Sequence, residues 1–230
     1  MKERRESNTL DQDCERIACR RIAAALQHWR AASVGPICVA LDGASGTGKS
    51  TLANAVAGRC IARELDLALI PLDDFFAADI PDSAWDTFTV AERLNRVFDW
   101  QRVRQDVLLP LRAGKPARWH AFDFVSGLQP DGTYRLQTQP IERAPAAIIL
   151  LEGAYSAHPA LASLLDYTIL IEAPAELRRQ RLAAREEPEF LRRWHQRWDP
   201  VEDLYFTHVR PPATFDLVVT SCSRGVLLEL

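Results

Sequence analysis

Gly43-Ala44-Ser45-Gly46-Thr47-Gly48-Lys49-Ser50-Thr51 satisfies the pattern G-x-x-x-x-G-K-[ST] in full, with Gly43, Gly48, Lys49 and Ser50 at its fixed positions. The flanks suit it. Ile37–Asp42 (ICVALD) is a short aliphatic run that reads as a buried strand, and TLANAVAGRCIARE, from Thr51 onward, has helical periodicity. A strand, a glycine-rich turn and a helix N-terminus aim successive backbone N–H groups at an anion, and the helix dipole adds to the attraction. In that arrangement Lys49 neutralises β- and γ-phosphates and the Ser50 hydroxyl ligates Mg²⁺. The nine residues form the candidate nucleotide-binding set, and a bound nucleoside triphosphate is the expectation.

The bulk properties narrow the class. At 230 residues the chain sits at the upper end of one α/β domain, and 47% hydrophobic residues are enough for a substantial core. A formal charge of −3 and a pI near 6.0 make no case for nucleic acid or a membrane surface as partner. No apolar run approaches the ~18 residues of a membrane span. The N-terminal MKERRESNTLDQD lacks the apolar stretch of a signal peptide. Cys14, Cys19, Cys38, Cys60 and Cys222 form no C-x-x-C pair, and Cys38 and Cys222 fall in strand-like segments, as buried thiols do. A cytoplasmic, disulfide-free protein is expected.

Residues 1–35 read as an accessory helix. Ala18, Ile22, Ala25, Leu26 and Trp29 share one face, and Gly35-Pro36 stops it. Its apolar stripe suits packing on the core, with a partner interface as the alternative. Residues 36–230 form the main domain. Four more aliphatic runs read as strands covered on both faces: Leu67–Asp74, Ala146–Gly153, Tyr167–Ala173 and Phe215–Ser221. Helical stretches between them predict an α/β architecture with a parallel, doubly wound sheet. Phe124–Arg143 reads as a polar hairpin or loop, and the charged Glu176–Arg197 stretch as helices.

Ligands of open α/β sheets bind at the carboxyl ends of the strands. Asp73 and Asp74 end the second aliphatic run, and Glu152, in LLEG, ends the third. Such acids can hold Mg²⁺ or accept a proton from an attacking hydroxyl; equally, Asp73 or Asp74 can cap a helix and Glu152 can pair with Lys49. Arg178, Arg181 and Arg185 are spaced i, i+3, i+7. They suit a solvated, salt-bridged helix or a lid over about residues 176–200 that closes on the triphosphate.

Together these pieces resemble the uridine kinase-like group of phosphate-loop kinases, which includes nicotinamide riboside kinase, phosphoribulokinase and bacterial pantothenate kinase. The resemblance runs in order over residues 36–221, through GASGTGKST, LDDFF, FDW with RVRQDVLLPLRAGKP, FDFVSG, LLEGAY, the R-x-x-R-x-x-x-R spacing and FDLVV. It implies the three-layer P-loop NTP hydrolase fold, mainly a five-stranded parallel sheet flanked by helices. It also implies an ATP- and Mg²⁺-dependent transfer of the γ-phosphate to a hydroxyl of a small-molecule acceptor. Asp73, Lys49, Arg181 and Arg185 then fall on catalytic positions, Arg178 on the nucleotide, and Ser50, Asp73 and Glu152 on the metal. Asp74, Phe75, Arg96, Phe122, Asp123 and Phe124 fall on the acceptor.

Departures from the family pattern bear on the acceptor. Where uridine kinases read Y-D-F-x-x-H, residues 122–127 read FDFVSG; where they carry the ribose-binding aspartate of P-D-A-F-D, Arg96 stands. An acceptor other than uridine or cytidine follows, with an anionic or acceptor-rich group suited to arginine and with Phe122, Phe124, Trp119 and Trp85 as walls. A nucleoside monophosphate kinase is the alternative, using Arg93, Arg96, Arg102 and Arg104 on an acceptor phosphate. A non-catalytic nucleotide switch is a further one, although no [NT]-K-x-D tetrapeptide is present. A homo-oligomer is left open.

Overall fold

The five long aliphatic runs assemble into one parallel sheet. A computed structural model describes residues 2–221, with side chains from residue 15 onward. Strands β1 (Ile37–Asp42), β2 (Leu67–Pro71), β5 (Ile148–Glu152), β6 (Tyr167–Glu172) and β7 (Leu217–Thr220) lie in the order β2-β5-β1-β6-β7. Every pairing is parallel, with Ile37 opposite Ile148, Val39 opposite Tyr167, Leu67 opposite Ile148 and Ile169 opposite Leu217. All residues of β1 and β5 are buried, which is why their sequences show no alternation.

Strand alternation then divides the core. Val39, Leu41, Ile148, Leu150, Ile169 and Ile171 face α1 (Lys2–Ala31) and α2 (Lys49–Ile61). Cys38, Ile70, Ile149 and Leu151 face the opposite layer. That layer holds α3 (Val90–Arg96), α4 (Trp100–Arg102), a π-helical run Val103–Leu108, α5 (Leu109–Arg112) and much of α7 (Pro188–Leu204). The shorter α6 (Ala175–Ala183) follows β6. The result is the expected three-layer α/β fold.

Helix α1 buries Ala18, Cys19, Ile22, Ala23 and Leu26 against α2 and the sheet, while Ala25 and Trp29 are half-buried. Trp29 stacks on Tyr167 with ring centroids 4.3 Å apart. The helix ends at Ala31, before Gly35-Pro36, because the Ser33 hydroxyl donates to the Trp29 carbonyl at 2.9 Å and Arg30 donates to the Ser33 carbonyl. Cys19, Cys38 and Cys60 are buried free thiols. The side chain of Cys14 and all of Cys222 lie outside the described residues.

Several boundaries differ from expectation. Helix α2 starts at Lys49, two residues before Thr51. Strand β2 stops at Pro71, and Leu72–Phe75 form a 3-10 turn, so Asp73 and Asp74 sit on that turn rather than on the strand. Proline at the strand's end withholds the N–H that would continue the ladder. Strands β5 and β7 are shorter at both ends than the aliphatic runs that marked them. Within Phe124–Arg143 the last three residues are strand β4 (Ile141–Arg143), antiparallel to β3 (Ala117–Trp119). The rest is a loop pinned by the isolated pairings Phe122–Leu136 and Leu128–Tyr134. No helix among the described residues is long and apolar enough to cross a membrane.

One buried carboxylate holds the carboxyl edge of the sheet together. Asp42, at the end of β1, is fully buried and accepts four hydrogen bonds. The donors are Gly43 N (2.7 Å), Tyr155 N (2.8 Å), Ala157 N (2.9 Å) and the Tyr205 hydroxyl (2.7 Å). Burial pushes its pKa up, and the Ala157, Tyr205 and Gly43 donors pull against that shift. Asp42→Asn turns an amide N–H₂ onto these donors and should lower unfolding stability by about 3 kcal/mol or more. Tyr205→Phe, which removes one donor, should cost about 1–2 kcal/mol. Urea titration checks both, and an Asp42→Asn cost no larger than that of Tyr205→Phe would show that Asp42 does not organise this edge.

Candidate active site

The loop after β1 enters α2 through Gly48, which is left-handed (φ 87°) and leaves the helix without a side-chain cap; no acid lies in its first turn. First-turn N–H groups have no intrahelical acceptor, so those of Lys49, Ser50 and Thr51 are available to an external anion. The buried Thr47 hydroxyl also has no partner. These open donors, with Lys49 beside them, fit a polyphosphate.

Glu152 meets the loop from the end of β5. The Ser50 hydroxyl donates to its Oε1 at 2.9 Å. Burial raises the Glu152 pKa, Lys49 and the Ser50 bond lower it, and the charge of Asp73 raises it. Lys49, Ser50, Asp73 and Glu152 therefore share one electrostatic site at the carboxyl edge of the sheet. Gly153 makes the approach possible: at φ 156° a Cβ there would stand 2.6 Å from the Leu72 Cβ, so only glycine lets the turn bearing Asp73 pack beside Glu152. Among the described residues no three His, Cys, Asp or Glu side chains group as a metal site. The Ser50 and Glu152 oxygens are hard donors that fit Mg²⁺ as a partial set, with phosphate and water completing the shell, as this ion prefers.

The two adjacent aspartates have different surroundings. Asp73 is exposed. Asp74 accepts a hydrogen bond from Trp119 Nε1 at 2.8 Å, and its carbonyl accepts one from Phe122 N, also at 2.8 Å. Burial raises the Asp74 pKa, against the Trp119 bond. Asp74 thus ties the 3-10 turn to the β3 region, and Asp73 keeps its carboxylate free for solvent or ligand.

The arginines expected in the lid separate. Arg178 Nη1 lies 3.0 Å from Glu202 Oε2 and 3.3 Å from the Ser45 carbonyl. Arg181 Nη1 donates to the carbonyls of Thr47 (2.9 Å) and Gly46 (3.3 Å) and reaches the Ser221 hydroxyl. Arg185 lies beyond the end of α6 at Ala183 and its guanidinium pairs with Glu186 at 2.7 Å, although it still lines the cavity beside the loop with Arg181 and Lys49. The chain leaves α6 through a tighter turn, in which the Arg185 N–H donates to the Leu182 carbonyl, and Pro188, with Glu187 extended before it, opens the next helix. Beyond that break, Trp198 and Val201 of α7 are core residues. The helix and loop are in direct contact: a Cβ on Gly46 (φ 79°) would lie 2.7 Å from the Arg178 carbonyl.

Glu202 was not singled out from sequence, where it is one acid in a charged stretch. It is buried and also receives the Ser45 N–H at 2.7 Å, so one carboxylate joins loop, α6 and α7. Asp42 was equally missed, although an acid closing a fully aliphatic strand was a visible signal.

On the acceptor side several expectations are corrected. Arg96 is exposed and lies over the Phe88 ring, 4.8 Å from its centroid, instead of facing a ligand. The Thr89–Glu92 capping box sets the rotation of α3, which buries Leu94 and turns Arg96 outward. Asp123 is taken up in its own turn by Ser126 N, the Ser126 hydroxyl and Val125 N. Phe75, Trp85 and Trp119 are buried core residues. Phe122 is buried as well, while Phe124 is exposed. Phe76 is the aromatic centre of this side, with Phe98, Phe122, Phe124, Trp85 and Trp198 rings at 5.2–6.5 Å.

No family model matches the chain, and no curated protein matches it by sequence. Solved structures do. A protein described as a possible uridine kinase from Bacillus stearothermophilus superposes with a TM-score of 0.65 at 17% identity, over 90% of this chain and 97% of that one. D-glycerate 3-kinase from Cryptococcus neoformans superposes with a TM-score of 0.59 at 15% identity, over 81% and 87% of the two chains. At these identities the likeness establishes the fold, a five-stranded parallel sheet flanked by helices that the chain shares with these two structures.

Arg181 restrains the loop through carbonyls that no other side chain holds in the hydrogen bonds described above. Arg181→Ala should therefore speed amide hydrogen exchange across residues 46–48 about 10-fold or more in the nucleotide-free protein. Unchanged exchange there would mean that the loop is rigid by itself.

Proposed function

We propose that the chain is an ATP-dependent kinase that transfers the γ-phosphate to a hydroxyl of a small molecule. The convergence of Lys49, Ser50, Asp73 and Glu152 beside an uncapped helix N-terminus carries this reading. In it the N–H groups of the loop and of the first turn of α2 bind phosphate oxygens, and Lys49 supplies the nearest positive charge to them. Ser50 and Glu152 would hold Mg²⁺, which when bound neutralises charge on the transferring group. Asp73 is exposed, on a short turn, and adjacent in charge to Glu152; it is placed to accept the proton of the acceptor hydroxyl. Asp74 acts as support, since Trp119 already occupies its carboxylate.

The acceptor wall is aromatic around Phe76, with Phe124 at its exposed rim. Arg96, exposed over Phe88, gives no reason for an anionic acceptor. A monophosphate acceptor is disfavoured on related grounds. Arg93 donates to the carbonyls of Trp85 and Arg197, Arg102 to that of His120, and Arg104 to that of Ala160. A neutral hydroxyl acceptor with an apolar face fits this side best.

Lys49→Ala should reduce phosphoryl transfer at least ~10²-fold, as when charge on the transferring group is left unstabilised. Asp73→Asn should lower kcat strongly with little change in ATP affinity, and Asp74→Asn should act mainly on stability. Steady-state assays against a panel of polyols and nucleosides, with ATP binding measured separately, check this. Full turnover by the Lys49→Ala variant would refute the assignment, and a larger kcat loss in Asp74→Asn than in Asp73→Asn would reverse the two roles.

A further inference from the structure

The phosphate loop has two faces, and the protein holds one of them by its carbonyls. The Ser45 carbonyl accepts from Arg178 Nη1 at 3.3 Å, and the Gly46 and Thr47 carbonyls accept from Arg181 Nη1 at 3.3 and 2.9 Å. In a planar trans peptide the N–H of the following residue points away from the carbonyl. Guanidinium groups that draw these carbonyls outward therefore turn the N–H groups of Gly46, Thr47 and Gly48 to the other face. That face opens on a cavity of about 420 Å³, which Gly46, Gly48 and Lys49 help to line. Its volume falls within the range of small-molecule sites. Thr47 N reaches only the Ala44 carbonyl, at 3.3 Å, and the N–H groups of Gly46 and Gly48 meet no acceptor among the described residues.

Glu202 closes the brace on the carbonyl side. Its side chain is buried, and its two oxygens hold different partners: Oε1 receives the Ser45 N–H at 2.7 Å, and Oε2 receives Arg178 Nη1 at 3.0 Å. Ser45, Arg178 and Glu202 thus form a closed triangle in which both polar groups of the Ser45 backbone are engaged. The carboxylate also retains Arg178 on this side, since Arg178 does not line the cavity that Arg181 and Lys49 share. Helix α7 presents Glu202 from a fixed position. Trp198 and Val201 are packed in the core, and Tyr205, just past the helix, donates to Asp42.

We propose that Glu202 is a positioning residue for phosphoryl transfer: it pins Ser45 directly and through Arg178, and so holds the loop with its N–H groups turned toward the triphosphate before the ligand arrives. The proposal rests on the nucleotide-binding reading of the loop given above, and Glu202 itself touches neither nucleotide nor acceptor in it. Apparent affinity scales with the fraction of time that the loop is correctly arranged. A loop that is so arranged only about a tenth of the time binds about 10-fold more weakly.

The test measures binding of inorganic tripolyphosphate and of a non-hydrolysable ATP analogue by calorimetry, each with Mg²⁺. It uses the full chain and its Glu202→Ala, Glu202→Gln and Arg197→Ala variants, each checked by thermal melting. Glu202→Ala should weaken both ligands about 10-fold or more. Glu202→Gln keeps an acceptor for the Ser45 N–H but loses the charge that retains Arg178, so its affinities should fall between those of Glu202→Ala and the wild type. Arg197→Ala frees α7 from Asp82 and Asp86 without touching the loop; it should lower the melting temperature and leave both affinities unchanged. Wild-type affinity in Glu202→Ala, an equal loss in Arg197→Ala, or no recovery in Glu202→Gln overturns the positioning role and leaves the loop assignment standing. Should Glu202→Ala fail to fold, Glu202→Gln decides alone: undiminished affinity there overturns the role. Failure of the wild type to bind either ligand overturns the loop assignment and this proposal with it.

Discussion

The carboxyl edge of the sheet depends on a charge that has been taken wholly out of water. Asp42 has no guanidinium or ammonium group among its hydrogen-bond partners; three backbone N–H groups and one phenol solvate it instead. Such a group is costly unless every donor is in place, so the three segments that supply the four donors must arrive together. One donor lies at the start of the phosphate loop, two belong to the turn that follows Glu152, and the last is in the π-helical turn Tyr205–Val209 that continues α7. The positions of Gly43 and of the residues after Glu152 are thereby set from below, before any ligand is present. Tyr155, left-handed at φ 67°, is the visible strain in this arrangement; its buried ring packs edge-on against Tyr205, a contact that glycine would not supply.

A second carboxylate repeats the device closer to the ligand. Glu202 joins Ser45 of the loop to Arg178 of α6, and three residues along the chain Tyr205 joins Asp42. One turn earlier, Trp198 touches the aromatic group around Phe76. A single helix, α7, thus contacts the phosphate loop, the lid helix and the acceptor-side wall. Arg197 fastens it further to Asp82 and Asp86, at 2.7 and 3.0 Å. The loop, α6 and the aromatic group around Phe76 are therefore connected through one continuous helix.

The sheet was legible because its strands are buried on both faces, and uninterrupted aliphatic runs such as IILLE have few other uses. The loop was legible because its chemistry demands fixed residues at fixed spacing. What failed depended on where helices end and how they are rotated. The i, i+3, i+7 spacing of Arg178, Arg181 and Arg185 places all three on one helical face only if the helix reaches Arg185, and α6 ends at Ala183. Arg96 was placed by alignment with a motif, whereas its direction is set by the cap at Thr89 and the burial of Leu94. Phe75 and Phe122 illustrate a related difficulty: beside a site, an aromatic ring in sequence does not reveal whether it lines the cleft or supports it. Glu202 and Trp119 had no local signal, since their partners are 157 and 45 residues away in sequence.

Gly46 occupies one of the four unspecified positions of the G-x-x-x-x-G-K-[ST] pattern, where the motif alone permits any side chain. In this protein that freedom is gone, because the backbone of α6 lies against the position and its φ of 79° belongs to glycine. Helix α6 has in effect extended the phosphate-loop signature by one residue. Sequence drift in the loop and sequence drift in α6 cannot be independent here: a loop from another phosphate-loop protein, transplanted into this chain with a larger residue at position 46, would have to bring its own lid with it.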